Sequence, residues 1–258
     1  MNPDSEIAPR PFQLGLSFAP SPEDIQLPAC SFPVVLPFPV ELHVMRHGES
    51  AANEGNLITG SMNVPLTKLG RRQARMAGRK LAGRYDVAFS STLFRSRETL
   101  MLALKAKKLE EIPVKETPDL AERQLGKLEL KPARPIPEYA AGDLQYAPPG
   151  GESYLSVAGR MLRFLTDTAR WIQTEWDQKQ RKINRILVCT HMGPIRIIAG
   201  ILNEEKDPVR ILSRSYSPTH LSVFHWSRVT YPRFLLDLQM PQGPVHPDTE
   251  LSDGPSFA

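Results

Sequence analysis

The sequence predicts an α/β domain of three layers, α/β/α, with a mostly parallel sheet and helices on both faces. Three observations support this. Short apolar runs of strand length alternate with longer segments whose apolar residues recur at helical spacing. The intervening segments are long enough for the crossovers that join parallel strands. The polar residues best suited to chemistry fall just after three of the apolar runs, where open α/β sheets hold their ligands.

Val40 to Met45 is a short apolar run that stops at Arg46-His47-Gly48, as expected of a buried strand that delivers a loop. Thr67 can cap a helix carrying Leu69, Ala74, Ala77, Gly78 and Leu81. A strand from Val87 to Phe89 precedes a helix from Leu93 to Lys107, and Ile112 to Lys115 is a weak strand before Pro118. Tyr154 to about Gln180 is a long helix with Val157, Met161, Phe164, Leu165, Ala169 and Ile172 on one face. Arg185 to Thr190 is a strongly apolar strand, followed by a helix from Pro194 to Leu202 whose proline sits near the first turn. Leu221 to Trp226 and Phe234 to Leu238 are expected to complete the sheet.

The 25 prolines crowd the two ends. Residues 1–38 read as a proline-rich extension that can lay Phe32, Val34 and Val35 on the domain surface. Residues 39–240 are the domain, and residues 241–258 are a polar, proline-broken tail expected to be disordered. With 41% hydrophobic and 23% charged residues, the chain of 258 residues can bury an ordinary core without staples. The net charge of +4 is dispersed, which does not imply nucleic acid. Two cysteines, Cys30 and Cys189, make no disulfide framework. With no leader pattern and no apolar run near the roughly 20 residues of a membrane span, a cytoplasmic location and no membrane partner are expected.

Phosphoryl transfer requires a nucleophile, donors for three equatorial oxygens and an acid for the leaving oxygen. His47 is placed to be the nucleophile, with Gly48 beside it to let backbone approach a phosphate. Arg46 and Arg95 offer forked guanidinium donors, and His191 a further donor if protonated. Glu122 is the candidate general acid. His43 lies four residues before His47, but strand geometry does not bring the two together as a metal pair, and the apolar run around Cys189 suits an inert buried thiol.

These residues sit in an ordered string. VMRHGESAAN from Val44 resembles the signature of the histidine phosphatase superfamily, in its phosphoglycerate-mutase-like branch (branch 1). The resemblance continues through LITGSMNVPLTKLGRRQA from Leu57, SSTLFRSRET from Ser90, LAERQLGKLE from Leu120, GGES from Gly150 and VCTHMGPIR from Val188. It implies that His47 becomes phosphohistidine, that Arg46, Arg95 and His191 hold the transferring group, and that Glu122 protonates the leaving oxygen and then activates water. It also implies that Asn53 contacts phosphate, that Thr59 and Gly60 line the substrate entrance, and that neither metal nor organic cofactor is used.

Two departures bear on substrate. Met192 stands where the family usually has glycine after its second histidine, which can change a backbone donor or the pocket width. Leu125 replaces the tyrosine typical of mutases, and the stretch before His191 is short, with Lys131 to Pro149 as its expected cover. A phosphatase acting on a phosphorylated small molecule is the favoured reading, ahead of a bisphosphate-primed mutase and a silent anion- or partner-binding module. Deleting residues 1–38 is expected to leave hydrolysis largely intact. Oligomeric state is not predicted.

Overall fold

The computed structural model describes residues 32–236. Five strands form one sheet in the order β3-β2-β4-β1-β5. They are β1 (Val34–Arg46), β2 (Val87–Ser91), β3 (Val114–Thr117), β4 (Arg185–Thr190) and β5 (Leu221–Val229). The pairs β1 with β4, β4 with β2 and β2 with β3 are parallel; β5 closes the far edge antiparallel to β1.

The alternation of side chains along each strand makes the two outer layers. Leu42, Val44, Val87, Phe89, Ile186 and Val188 pack in one core with α5 (Tyr154–Lys179) and α6 (Met192–Leu202). Met45, Ala88, Leu187 and Cys189 pack in a second core on the opposite face, with residues of α3 (Phe94–Lys107) and with Leu81 at the end of α2 (Lys68–Lys80). β4 lies between β2 and β1, so its Ile186, Leu187 and Val188 are fully buried, and each contributes about 1.5–3 kcal/mol of hydrophobic stabilisation. Thr67 caps α2 by accepting from Gly70 N (2.9 Å), and Ser153 caps α5 by accepting from Ser156 N (3.1 Å).

Three expectations need correction. First, the sheet begins before residue 39: Val34 and Val35 pair with Val229 and Arg228 of β5, and Phe38 stacks edge-on against Trp176. The prolines disguise this strand because Pro37 and Pro39 lie in the register shift between Val35 and Val40, where a missing N–H breaks no regular ladder. A deletion ending at residue 38 would therefore remove sheet residues.

Second, the described part of Phe234–Leu238 is not a strand but part of α8 (Arg233–Leu236), which starts after Pro232. Neighbouring Phe234 and Leu235 both enter the same core, and helical backbone can turn adjacent residues inward where a strand sends them to opposite faces. Third, the weak strand lies two residues later than read, at Val114–Thr117, because Pro113 contributes its carbonyl to Ala88 N (2.9 Å) just before it. The expected tail at residues 241–258 lies outside the described residues. Among the described residues, no helix is long and apolar enough to cross a membrane.

Candidate active site

The sheet order determines which loops meet. At the carboxyl end of the sheet Arg46 is opposite Thr190 and Ser90 is opposite Cys189, so His47, His191 and Ser91 follow side by side. Adjacent strands run about 4.8 Å apart. The rings of His47 and His191 accordingly have centroids 5.0 Å apart, and His191 Nε2 is 2.9 Å from Ser91 Oγ.

His47 is held from both sides, by its N–H to Thr190 O (2.9 Å) and by its carbonyl accepting from Thr219 N (3.2 Å). Its Nδ1 is 2.6 Å from Gly48 O, and a carbonyl can only accept, so Nδ1 carries the proton and Nε2 carries the lone pair. Arg95 Nε donates to that same Nε2 at 3.3 Å, which requires the same tautomer. Burial first, then the charges of Arg95 and Arg46, push the His47 pKa well below the ordinary 6.5. The imidazole is therefore neutral and nucleophilic at neutral pH.

Arg95 is fully buried. Nη1 donates to Met62 O (2.7 Å) and Nη2 to Gly60 O (2.8 Å), so its partners are two carbonyls and an imidazole. Burial pulls its pKa down to about 10, with Glu122 and Glu129 opposing and Arg46 adding to the shift, and it remains charged. Arg46 donates through Nη1 to Tyr216 O (2.5 Å) and leaves Nε buried without a protein partner. His191 Nδ1 is likewise buried and unpartnered. Burial, followed by the charge of Arg95, holds the His191 pKa well below 6.5, so this ring is neutral.

Glu122 arrives on an irregular segment and accepts from Gly193 N (Oε1 3.1 Å, Oε2 3.3 Å) and from Arg123 N (2.8 Å). A Cβ on residue 193 would lie 2.4 Å from Glu122 Oε1, so glycine there is what lets the carboxylate reach the start of α6. At Gly48 a Cβ would meet Gly70 O at 2.6 Å, so this glycine seats the loop against α2.

The structure thus gathers His47, Arg95, His191 and Glu122, with the Arg46 charge acting on His47 and His191 and coupled to that of Glu122. Gly60 joins them through its carbonyl, and Thr59 lies in the same loop. Asn53 serves the capping box of α1 (Ala51–Glu54), its Oδ1 accepting from Ser50 N and Oγ. Met192 opens α6, and its sulfur accepts from Tyr216 N at 3.3 Å. His43 turns away, with Nδ1 2.8 Å from Tyr85 Oη and Nε2 facing Glu41. Burial raises the Cys189 thiol to about 12. Among the described residues, no group of three or more His, Cys, Asp or Glu side chains is arranged for a metal.

Sequence reasoning missed Ser91, Glu129 and the Gly193 amide. Glu129 Oε1 ties the entrance loop to the glutamate segment by accepting from Ser61 N (2.7 Å) and Leu125 N (3.0 Å). Only its place in the LAERQLGKLE block marked it, and nothing in that block points to Ser61.

A three-layer α/β/α sheet with two histidines and buried arginines at its carboxyl edge defines a phosphoryl-transfer class of protein. The chain belongs to the histidine phosphatase superfamily (branch 1), whose sequence profile matches residues 42–232. It is 39% identical over 166 residues to a 2,3-bisphosphoglycerate-dependent phosphoglycerate mutase 2 of Gloeobacter violaceus, covering 61% of this chain and 73% of that one. It is 30% identical over 198 residues to a metal-independent phosphoserine phosphatase of Arabidopsis thaliana, covering 72% and 78%. In fold it is similar to a mycobacterial glucosyl-3-phosphoglycerate phosphatase solved with VO3, with a TM-score of 0.60, 22% identity and coverage of 75% and 98%.

Proposed function

We propose that this protein is a cytoplasmic, metal-independent phosphomonoesterase that hydrolyses a phosphorylated small molecule through a phosphohistidine on His47. The observation that carries the proposal is Arg95, a fully buried cation whose partners are carbonyls and the nucleophilic nitrogen of His47. Burying a cation without a direct carboxylate partner is costly even with Glu122 and Glu129 nearby, and an arriving dianion would offset that cost.

In the proposed reaction His47 Nε2 forms a bond to phosphorus as the phosphorus–oxygen bond to the leaving group breaks. The bonding pair goes to the leaving oxygen, which takes its proton from Glu122. Gly48 O stabilises the positive charge that develops on the ring through Nδ1–H. Arg46, Arg95 and His191 Nδ1–H take the equatorial oxygens, so the charge that a metal would neutralise already has protein donors. Water then attacks phosphorus, Glu122 takes its proton, the nitrogen–phosphorus bond breaks and His47 returns neutral.

The 39% identical mutase supports a second reading, in which the phosphoryl group returns to an isomeric hydroxyl. Phosphate release from p-nitrophenyl phosphate and a panel of phosphorylated metabolites, with EDTA present, tests the proposal. Turnover that survives EDTA and disappears in His47→Ala is expected. Turnover lost to EDTA overturns metal independence, and isomerisation without release after bisphosphoglycerate priming establishes the mutase.

A further inference from the structure

Residues 121–125, which carry Glu122, form neither helix nor strand, so no ladder holds them in place. One side chain of α5 takes over that task. Arg160, with its side chain 13% exposed, donates through Nη1 to the carbonyls of Asp119 and Ala121, the latter at 2.7 Å. Its Nε and Nη2 hold Glu152 in a two-pronged pair at 2.7 and 2.9 Å. Glu152 in turn grips the far side of the segment, its N–H donating to Gln124 O (2.8 Å) and its Oε2 accepting from Gln124 N (3.4 Å). Thr190 Oγ1 donates to Leu120 O, between the two carbonyls held by Arg160, at 2.6 Å.

We infer that Arg160 is the positioning residue for Glu122: its guanidinium, braced by Glu152, fixes the depth at which the carboxyl group meets the leaving oxygen. Arg160 reaches the segment through the backbone carbonyls of Asp119 and Ala121, and its charge also bears on His191, which Arg160→Lys preserves. A planar fork can serve two carbonyls and a carboxylate together, whereas an ammonium is a point charge on a flexible stem. A shift of about 1 Å at a reacting group costs on the order of 10²-fold in rate, so loosening this clamp should be visible in catalysis.

The inference rests on the reading of Glu122 as general acid, and the test separates the two. kcat/KM is measured for p-nitrophenyl phosphate, whose leaving group departs without a proton, and for phenyl phosphate, whose leaving group needs one. Glu122→Gln is expected to lose about 10²-fold more on phenyl phosphate than on p-nitrophenyl phosphate. Arg160→Lys, which keeps the charge and removes the fork, is expected to lose about 10–100-fold on phenyl phosphate and about threefold on the nitro compound.

Adding Arg160→Lys to Glu122→Gln should cost nothing further. If Glu122→Gln shows no leaving-group dependence, the reading of Glu122 fails. If it does, while Arg160→Lys loses equally on both substrates or on neither, the positioning role is overturned. Should circular dichroism show Arg160→Lys unfolded, Glu152→Gln decides by the same criterion, with the same selective loss expected at smaller size.

Discussion

Both ends of the sheet are basic, and they are built on opposite rules. At the amino end, a depression of about 410 Å³ is lined by Arg84, Asp86, Arg181, Lys182, Asn184 and Arg185. There the cations meet carboxylates: Arg185 Nε is 2.5 Å from Glu41 Oε2, Arg181 Nη1 is 3.4 Å from Glu175 Oε2, and Asp86 Oδ2 accepts from the backbone of Asn184 and Arg185. At the carboxyl end, Arg46 and Arg95 are more deeply buried, yet the bonds they make are to carbonyls and to His47. Charge compensation, and not the number of cations, separates the two ends. At the paired end the cations are locked in direct ion pairs, whereas at the carboxyl end Glu122 and Glu129 act on Arg95 only from a distance and leave its fork without a direct carboxylate partner.

The largest effect expected from this contrast is on rate. Arg95→Lys should lower kcat/KM about 10³-fold, because a fork buried among fixed carbonyls is not replaced by an ammonium, whereas Arg185→Lys should stay within about twofold. Steady-state assays of the two variants would refute the contrast if they lost activity alike.

Next in size is ligand-linked stability. Inorganic phosphate at about 100 times its dissociation constant should raise the thermal midpoint by roughly 5–10 °C in the intact protein and in Arg185→Lys, but not in Arg95→Lys. A shift that survives Arg95→Lys and is lost in Arg185→Lys would place the anion at the wrong end.

A smaller effect is expected from Ser91. Its oxygen accepts from Leu93 N (3.1 Å), which leaves the hydroxyl proton free for His191 Nε2 and the ring proton on the buried, unpartnered Nδ1. Ser91→Ala should reduce kcat/KM about tenfold, and nitrogen NMR of His191 should show the loss of a single tautomer. An unchanged tautomer would sink this role.

The smallest effect is on stability against pH. The folded pKa values of His47 and His191 are depressed, so below about 6.5 the unfolded chain takes up protons that the folded chain refuses. Stability is therefore full above that pH and declines as pH falls. His43, at the paired end, is depressed as well, first by burial and then by Arg185. Melting curves of His191→Asn should show a shallower acid decline than the intact protein, and an unaltered slope would contradict the shift.

Much of this site was legible because three of its parts sit where an apolar strand stops. Arg46, His47 and His191 directly follow the hydrophobic runs of β1 and β4, and Arg95 lies one turn past β2. Glu122 carries no such signal, since its segment has no periodicity, and only the resemblance of LAERQLGKLE singled it out. Ser91 and the Gly193 amide escaped because their meaning depends on partners 100 and 71 residues away. Besides the two-residue shift of β3, the fold was misread where local chemistry masks tertiary pairing. Pro37 and Pro39 hid the start of β1, and an apolar run ending at Leu238 mimicked a strand where Phe234 and Leu235 needed to enter one core. The charge contrast between the two ends could not be read in advance at all, because every cation in it is an ordinary arginine or lysine until its neighbours are known.

Thr190 is the crossing point of the catalytic segments: its carbonyl binds His47 N, its hydroxyl binds Leu120 O, and it precedes His191 in the chain. The amide proton of His47, the proposed nucleophile, is thereby sealed beside the central strand. In deuterated solvent it should be among the last to exchange, released only when the whole domain opens. That one proton would serve as an internal clock for global unfolding, read at the residue proposed to carry the phosphoryl group.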